Sequence, residues 1–153
     1  MEKSLFRHST PVRVRNYEVD WQGIVHNANI LLYFEVGRLE YLQQLGLRIN
    51  FQSIQNESRV VLVRNEIDYC SPAHFNELLN VYSRITYIRH TSFAFEAFIE
   101  EAGTDRCIAS NVAVHVWLDP KTGEPARVRE DFRLAVRQFE GPNVAILDPP
   151  SRT

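Results

Sequence analysis

Apolar and polar positions alternate near the start of the chain. Residues 12–19 (Val-Arg-Val-Arg-Asn-Tyr-Glu-Val) carry the period of a half-buried strand. A turn over Asp20–Gly23 then leads into residues 28–46, where Ile30, Leu31, Leu32, Tyr33, Phe34, Val36, Leu39, Tyr41, Leu42 and Leu45 recur at helical spacing. Positions 31, 34, 38, 42 and 45 trace one face and 32, 36, 39 and 43 its neighbour. Apolar residues occupy most of both, so the pattern predicts a helix wrapped on several sides. Asn27 or Asn29 suits its start and Gly46 its end. Gly37 lies mid-helix, at a cost of about 1 kcal/mol relative to Ala, which implies a close neighbour there.

Beyond the helix the period becomes that of strands. Residues 59–69 form a long β-branched run closed by Ser71-Pro72, and 78–88, 92–100 and 106–118 are three further strands. Phe93, Phe95, Ala97 and Ile99 alternate cleanly, as do Val112, Val114 and Val116. Ala102-Gly103-Thr104-Asp105 is a hairpin turn, and residues 119–125 end the last strand. A short amphipathic helix is expected over about 129–138, and Gly141 to Thr153, with three prolines, reads as a mobile tail. The order predicts one α+β domain over residues 1–140, a curved antiparallel five-stranded sheet wrapped around one long helix. A helix of ~18 residues is about 27 Å long and five strands span about 20 Å. One side of the sheet and its edges stay uncovered, and a second copy of the chain is the economical cover.

Composition narrows the classes. The 153 residues carry a net charge of −2, with 44% hydrophobic and 24% charged positions, ordinary for a globular domain. That balance leaves no electrostatic footprint for nucleic acid, and no apolar run approaches the ~20 residues of a membrane span. The N-terminus lacks the apolar core of a secretion signal, so a cytoplasmic location is expected. Cys70 and Cys107 are far apart in sequence and form no CxxC pair, which suits reduced thiols. Asn56-Glu57-Ser58 fits a glycosylation sequon that a cytoplasmic protein would not use.

Candidate chemistry concentrates around the turn. Asp20 has two readings. Asp-x-x-Gly is a type I turn signature in which the carboxylate accepts a backbone bond. A carboxylate beside the free N–H groups of a helix start is also the minimum equipment for attack on an acyl carbonyl. Asn27 is either a cap or the source of a backbone N–H that polarises that carbonyl with the helix dipole. His26 reads as a surface residue, a ligand or a base. Glu35 is placed to pair with Arg38 at i,i+3, and Glu40 to face solvent. His8, His74, His90 and His115 show no metal-ligand spacing, so no metal is expected. Cys70 has no base nearby in sequence and reads as a buried structural thiol. Arg89-His90-Thr91-Ser92-Phe93 is an ordinary hairpin that also supplies hydroxyls and a cation. No nucleophile elbow, Walker loop or dinucleotide fingerprint occurs.

Tyr17-Glu18-Val19-Asp20-Trp21-Gln22-Gly23-Ile24-Val25-His26-Asn27-Ala28-Asn29, with Tyr33-Phe34-Glu35 and Arg38, resembles the hot-dog-fold acyl-CoA thioesterases. The nearest group is the 4-hydroxybenzoyl-CoA thioesterase family with its YbgC-like members. The likeness continues through Ile67-Asp68-Tyr69, Ser71-Pro72-Ala73 and Thr91-Ser92-Phe93, and so covers about residues 10–135. The resemblance implies a hot-dog fold and a homodimer, often assembled into tetramers, with active sites at the subunit interface. It implies that Asp20 is the catalytic carboxylate, acting as general base for water or as nucleophile, and that the helix start at Asn27 binds the thioester oxygen. Gly23, His26 and Asn29 would shape the site, and Thr91 and Ser92, from the partner subunit, would contact the thioester or pantetheine arm. The expected substrate is an acyl-CoA or acyl-carrier-protein thioester, and water as second substrate needs no cofactor. Arg64, Arg84 and Arg89 are candidate cations for the CoA phosphates, and Trp21, Phe51, Phe93, Phe95 and Phe98 offer apolar surface.

Two rivals remain at this point. A hot-dog hydratase or dehydratase would pair His26 with Glu35 or Glu40, and a non-catalytic module would bind acyl thioesters without cleaving them. Three positions depart from the YbgC-like pattern. Asn27 stands where a His is common, with His26 displaced by one; Ile30 replaces a Tyr; and Leu32 replaces a basic residue. These departures bear on substrate shape and leave the Asp20 assignment intact.

Overall fold

The computed structural model describes residues 1–47 and 59–148; Phe51, the Asn56 sequon and residues 149–153 of the expected tail lie outside the described residues. In chain order the elements are β1 (His8–Arg13), α1 (Asn27–Gln44), β2 (Arg59–Tyr69), β3 (Leu78–Arg89), β4 (Ser92–Glu101), β5 (Cys107–Leu118), α2 (Glu130–Glu140) and β6 (Ala145–Leu147). The sheet order is β1-β3-β4-β5-β2 with antiparallel neighbours, and β6 adds a parallel pair to the end of β3. This is the α+β architecture expected from the pattern, with a sixth strand.

Three features differ from the sequence reading. The first strand is shifted toward the N-terminus, because residues 14–19 leave the sheet through a 3-10 turn at Asn16–Glu18. Arg15 donates its N–H to Glu18 Oε1 at 2.8 Å, and Glu18 N–H closes on Arg15 O at 3.1 Å, so the local polar bonds override the alternation. Residues 141–148 form a 3-10 turn and β6 instead of a mobile tail, because Tyr87–Arg89 at the end of β3 offers a free edge beyond β1. The third difference concerns α1. Ile30, Tyr33, Phe34, Gly37, Arg38 and Tyr41 form its buried face, whereas Leu31, Leu32, Val36 and Leu39 remain 37–52% exposed. The chain's own sheet covers one side of the helix only.

The helix ends as its sequence predicts. Gly46 adopts φ +79° and Leu47 N–H reaches back to Leu42 O at 3.2 Å, the geometry of a glycine stop. The close neighbour implied by Gly37 is Val81 on β3. A Cβ at position 37 would lie 2.6 Å from Val81 Cγ1 and 3.0 Å from Ser83 Oγ. Gly37→Ala should therefore lower stability by about 1–2 kcal/mol, since overpacking outweighs the ~1 kcal/mol of helix propensity gained. Thermal unfolding should show a Tm fall of about 2–6 °C; an unchanged Tm would mean that Val81 shifts freely.

The core is in two parts. One cluster holds Val14, Val25, Ile30, Phe34, Leu79 and Ile108, at the end where α1 begins. The other holds Tyr41, Ile85, Phe93, Phe95, Trp117 and Phe132, where α1 ends and α2 docks. Buried polar groups lie between them. Arg38 turns under the helix instead of pairing along its surface with exposed Glu35, and donates to Asn111 Oδ1 at 3.3 Å. Asn111 in turn donates to Asn65 Oδ1 and to Glu66 O on β2. His115 stacks on Phe93 with ring centroids 5.2 Å apart. Burial, aided by repulsion from Arg38, lowers its pKa to about 4, so the ring is neutral at physiological pH.

Glu140 is fully buried at the end of α2. Its Oε1 accepts Tyr41 O–H at 2.6 Å and Ile85 N–H at 3.2 Å, while Oε2 has no partner among the described residues. Burial raises its pKa, against those two hydrogen bonds and the nearby Arg84 and Arg7 charges. A carboxyl whose pKa is higher folded than unfolded favours the fold while protonated, and that contribution is lost as pH rises through the folded value. Glu140→Gln keeps the Oε1 acceptor and removes the titration. The Tm difference between variant and wild type should move in the variant's favour from about pH 5 to about pH 8; a difference that is constant with pH would refute the account.

Candidate active site

The stretch from Glu18 to Asn29 folds into a narrow ribbon. Asp20 N–H donates to Ile24 O at 2.9 Å, Gly23 N–H closes the turn on Asp20 O at 2.9 Å, and Val19 bridges Val25. Gly23 is required here because its φ is +80°. Asp20 Oδ1 accepts N–H bonds from Gln22 at 2.8 Å and Ile24 at 3.2 Å. The turn reading of this carboxylate is thus real, and it holds the side chain in place. Oδ2 takes no hydrogen bond from the described residues. Trp21, at the tip, is 92% exposed.

The ribbon delivers the chain to the helix start. His26 N–H donates to Glu18 O at 3.2 Å, and the Asn29 side chain donates to the same oxygen at 2.7 Å. Asn29 therefore clamps the first turn of α1 onto the ribbon. His26, not Asn27 or Asn29, is the residue preceding the helix, and its exposed side chain makes no capping bond. Asn27 is the first helical residue. Its N–H and that of Ala28 have no partner among the described residues, as the opening of a helix leaves them. Asp20 pairs with Ile24, and Asn27 lies three positions further along the ribbon, about 10 Å at ~3.3 Å per residue.

A cavity of about 250 Å³ opens beside this helix start, with Ile24, Asn27, Ile30, Tyr69, Cys70 and Ala73 among its lining. Its far wall is the segment that follows β2. Val25 N–H bonds to Ala73 O and Phe75 N–H to Gly23 O, docking turn and wall together. Arg106 pins the wall from behind, donating to Pro72 O at 2.6 Å and Ser71 Oγ at 3.2 Å while pairing with Glu77 and Glu101. Tyr69, Cys70, Ile108 and Arg106 were not singled out for the site from sequence. The Ile67-Asp68-Tyr69 and Ser71-Pro72-Ala73 stretches of the family resemblance were the signals that pointed to this wall.

The other expected site residues are elsewhere. Thr91 and Ser92 lie at the β3–β4 hairpin, on the order of 35 Å up β3 from the ribbon, so within one chain they do not meet Asp20. Glu35 and Glu40 are exposed on α1, about 13 and 20 Å along the helix from His26. Arg84 is occupied by Glu96 at 2.7 Å, Arg64 pairs with Glu66, and Arg89 lies over the Tyr87 ring. Cys70 is exposed, contrary to its reading as a buried thiol, and Cys107 is half-buried beside it. Phe93 and Phe95 are core. Among the described residues no cluster of His, Cys, Asp or Glu could hold a metal, and no helix is long and apolar enough to cross a membrane.

Comparison with known proteins adds an independent line. The thioesterase-like superfamily matches residues 14–136, a span that includes the ribbon, α1 and strands β2 to β5. The acyl-CoA thioester hydrolase YbgC of Escherichia coli O6:H1 is 30% identical over 139 residues, 90% of this chain and 100% of that protein. The chloroplastic acyl-acyl carrier protein thioesterase ATL2 of Arabidopsis thaliana is 30% identical over 128 residues, 82% of this chain and 68% of that one. A thioesterase from Thermus thermophilus, solved with coenzyme A and zinc, superposes with a TM-score of 0.76 at 30% identity, covering 92% of this chain and 98% of the other. A match of this extent, on a sheet-and-helix frame of the same order, makes the chain a hot-dog-fold thioesterase belonging to the thioesterase-like superfamily.

Proposed function

We propose that the chain hydrolyses acyl-CoA or acyl-carrier-protein thioesters, with Asp20 as general base for water or as nucleophile and the helix start at Asn27 as the oxyanion site. The observation that carries this reading is a turn-fixed carboxylate on the ribbon that leads directly into the open N–H groups of the helix start, where Asn27 lines the cavity. In the general-base route Oδ2 takes the proton of water as it adds to the carbonyl carbon; in the nucleophilic route Oδ2 itself adds there and water later cleaves the resulting anhydride. The developing oxyanion is met by the Asn27 and Ala28 N–H groups at the positive end of α1. Collapse then expels the thiol.

The same reading makes the working unit a homodimer or a homotetramer. Among the described residues β2 pairs with β5 alone, is exposed along nearly all its length, and carries Val60, Val61, Leu62 and Val63 at 39–57% exposure. A long apolar edge and the uncovered Leu31, Leu32, Val36 and Leu39 of α1 are surfaces that call for a partner. A second copy there would also be the source of Thr91 and Ser92. A cytoplasmic location belongs to this reading, supported by two free thiols.

A panel of short, long, branched and aromatic acyl-CoAs and acyl-carrier proteins, followed by thiol release, tests the proposal. Turnover of at least one thioester is expected. Binding without cleavage across the panel would leave the acyl-thioester-binding module in its place, and water addition to enoyl thioesters would favour the hydratase.

A further inference from the structure

Cys70 and Cys107 are 37 residues apart in sequence, yet antiparallel pairing of β2 with β5 brings their sulfurs to 2.9 Å. The juxtaposition is held by backbone, not chance rotamers. Cys70 N–H and Ser71 N–H both donate to Ile108 O, at 2.9 and 3.3 Å, and Ser71 Oγ donates to Cys107 O at 2.5 Å. Arg106, next to Cys107, is fastened to Pro72 O and to Glu101. Two strand ends fixed this way keep the thiols adjacent. Their environments are unequal: Cys70 is exposed in the cavity wall, and Cys107 is half-buried behind it.

We propose that Cys70 and Cys107 form a redox-active dithiol, a modification site in the wall of the cavity that hydrogen peroxide closes into an intrachain disulfide. Burial, together with its S–H bond to Cys70, pushes the pKa of Cys107 up to about 12, so Cys107 keeps its proton and Cys70 meets the oxidant. The Cys70 thiolate attacks one peroxide oxygen. The O–O bond breaks, hydroxide leaves and is protonated to water, and Cys70 becomes a sulfenic acid. Cys107 sulfur then attacks the Cys70 sulfur; the S–S bond forms, the S–O bond breaks, and the departing hydroxide takes the Cys107 proton as a second water. Two electrons pass from the thiol pair to the peroxide, and a small-molecule dithiol returns them.

Treatment of the full chain with one equivalent of hydrogen peroxide, followed by intact mass and non-reducing peptide mapping, tests this. The expected product is lighter by two hydrogen atoms, with Cys70 linked to Cys107 in the same chain, and dithiothreitol restores both thiols. Cys107→Ser should instead stop at a sulfenic acid on Cys70, trapped by a cyclic dione. Cys70→Ser should leave Cys107 oxidising at least about tenfold more slowly than Cys70 does in the wild type, its proton being held. Retained oxygen on wild-type Cys70 without linkage, or a disulfide between two copies, would overturn the proposal. Thiol chemistry is the readout throughout, so the outcome is separate from whether thioesters are cleaved.

Discussion

Asp20→Asn should lower kcat on the best thioester by about 10²–10⁴-fold while leaving the fold intact. The substitution is unusually clean because the proposed chemistry and the turn use different atoms of Asp20. Oδ1 accepts the Gln22 and Ile24 N–H groups, and an asparagine oxygen accepts them equally well. What the variant lacks is the charge and the proton acceptor on the other side of the group. Tm should stay within about a degree of wild type, since the turn keeps its hydrogen bonds. Asp20→Ala would lose base and turn together, and its lower rate would not separate them. Near-wild-type turnover by Asp20→Asn would remove this carboxylate from the chemistry.

On the proposed β2 interface, Leu62→Lys should leave the protein monomeric and take most of the hydrolytic rate with it. Leu62 pairs with His115, and His115 stacks on Phe93 beneath α2, so Leu62 is on the helix side of the sheet. In a lone chain it is 45% exposed on an edge strand, where a lysine is tolerated. In an interface formed by β2 the ammonium would be buried without a partner. That costs several kcal/mol, and about 3 kcal/mol weakens association by roughly 100-fold. Sedimentation velocity at micromolar concentration, alongside circular dichroism to confirm the fold, reads the result. A variant that assembles like wild type would place the interface elsewhere.

The regular elements were legible because their patterns are carried by side chains facing one core. The β-branched run at 59–69 and the alternation around Phe93 and Val112 give strands within a residue of those observed. Gly37 foretold a close approach because nothing else justifies glycine in mid-helix. Failures came where local or distant partners decide. The Arg15–Glu18 bonds bend residues 14–19 out of the sheet, and β6 forms because β1 is shorter than β3. Hydrophobicity showed that α1 is apolar nearly all round without showing which side its own sheet covers. At the candidate site, Asp20, Gly23 and the helix start were visible as a contiguous motif. The wall from Tyr69 to Ala73, and the adjacency of Cys70 to Cys107, depend on the register between β2 and β5, which no short-range pattern encodes.

The buried polar band of Arg38, Ser83 and Asn111 between the two apolar clusters has a consequence for how this domain tolerates change. Side chains on either side of it share few neighbours, and energetic effects at separated sites tend to add. The half around Ile30 and Ile108 is therefore able to accumulate substitutions that remodel its cavity, each with its own local effect. Meanwhile Tyr41, Phe95 and Phe132 keep the sheet and both helices in place. A lineage built on this frame can drift in what it accommodates at one end without renegotiating the packing at the other.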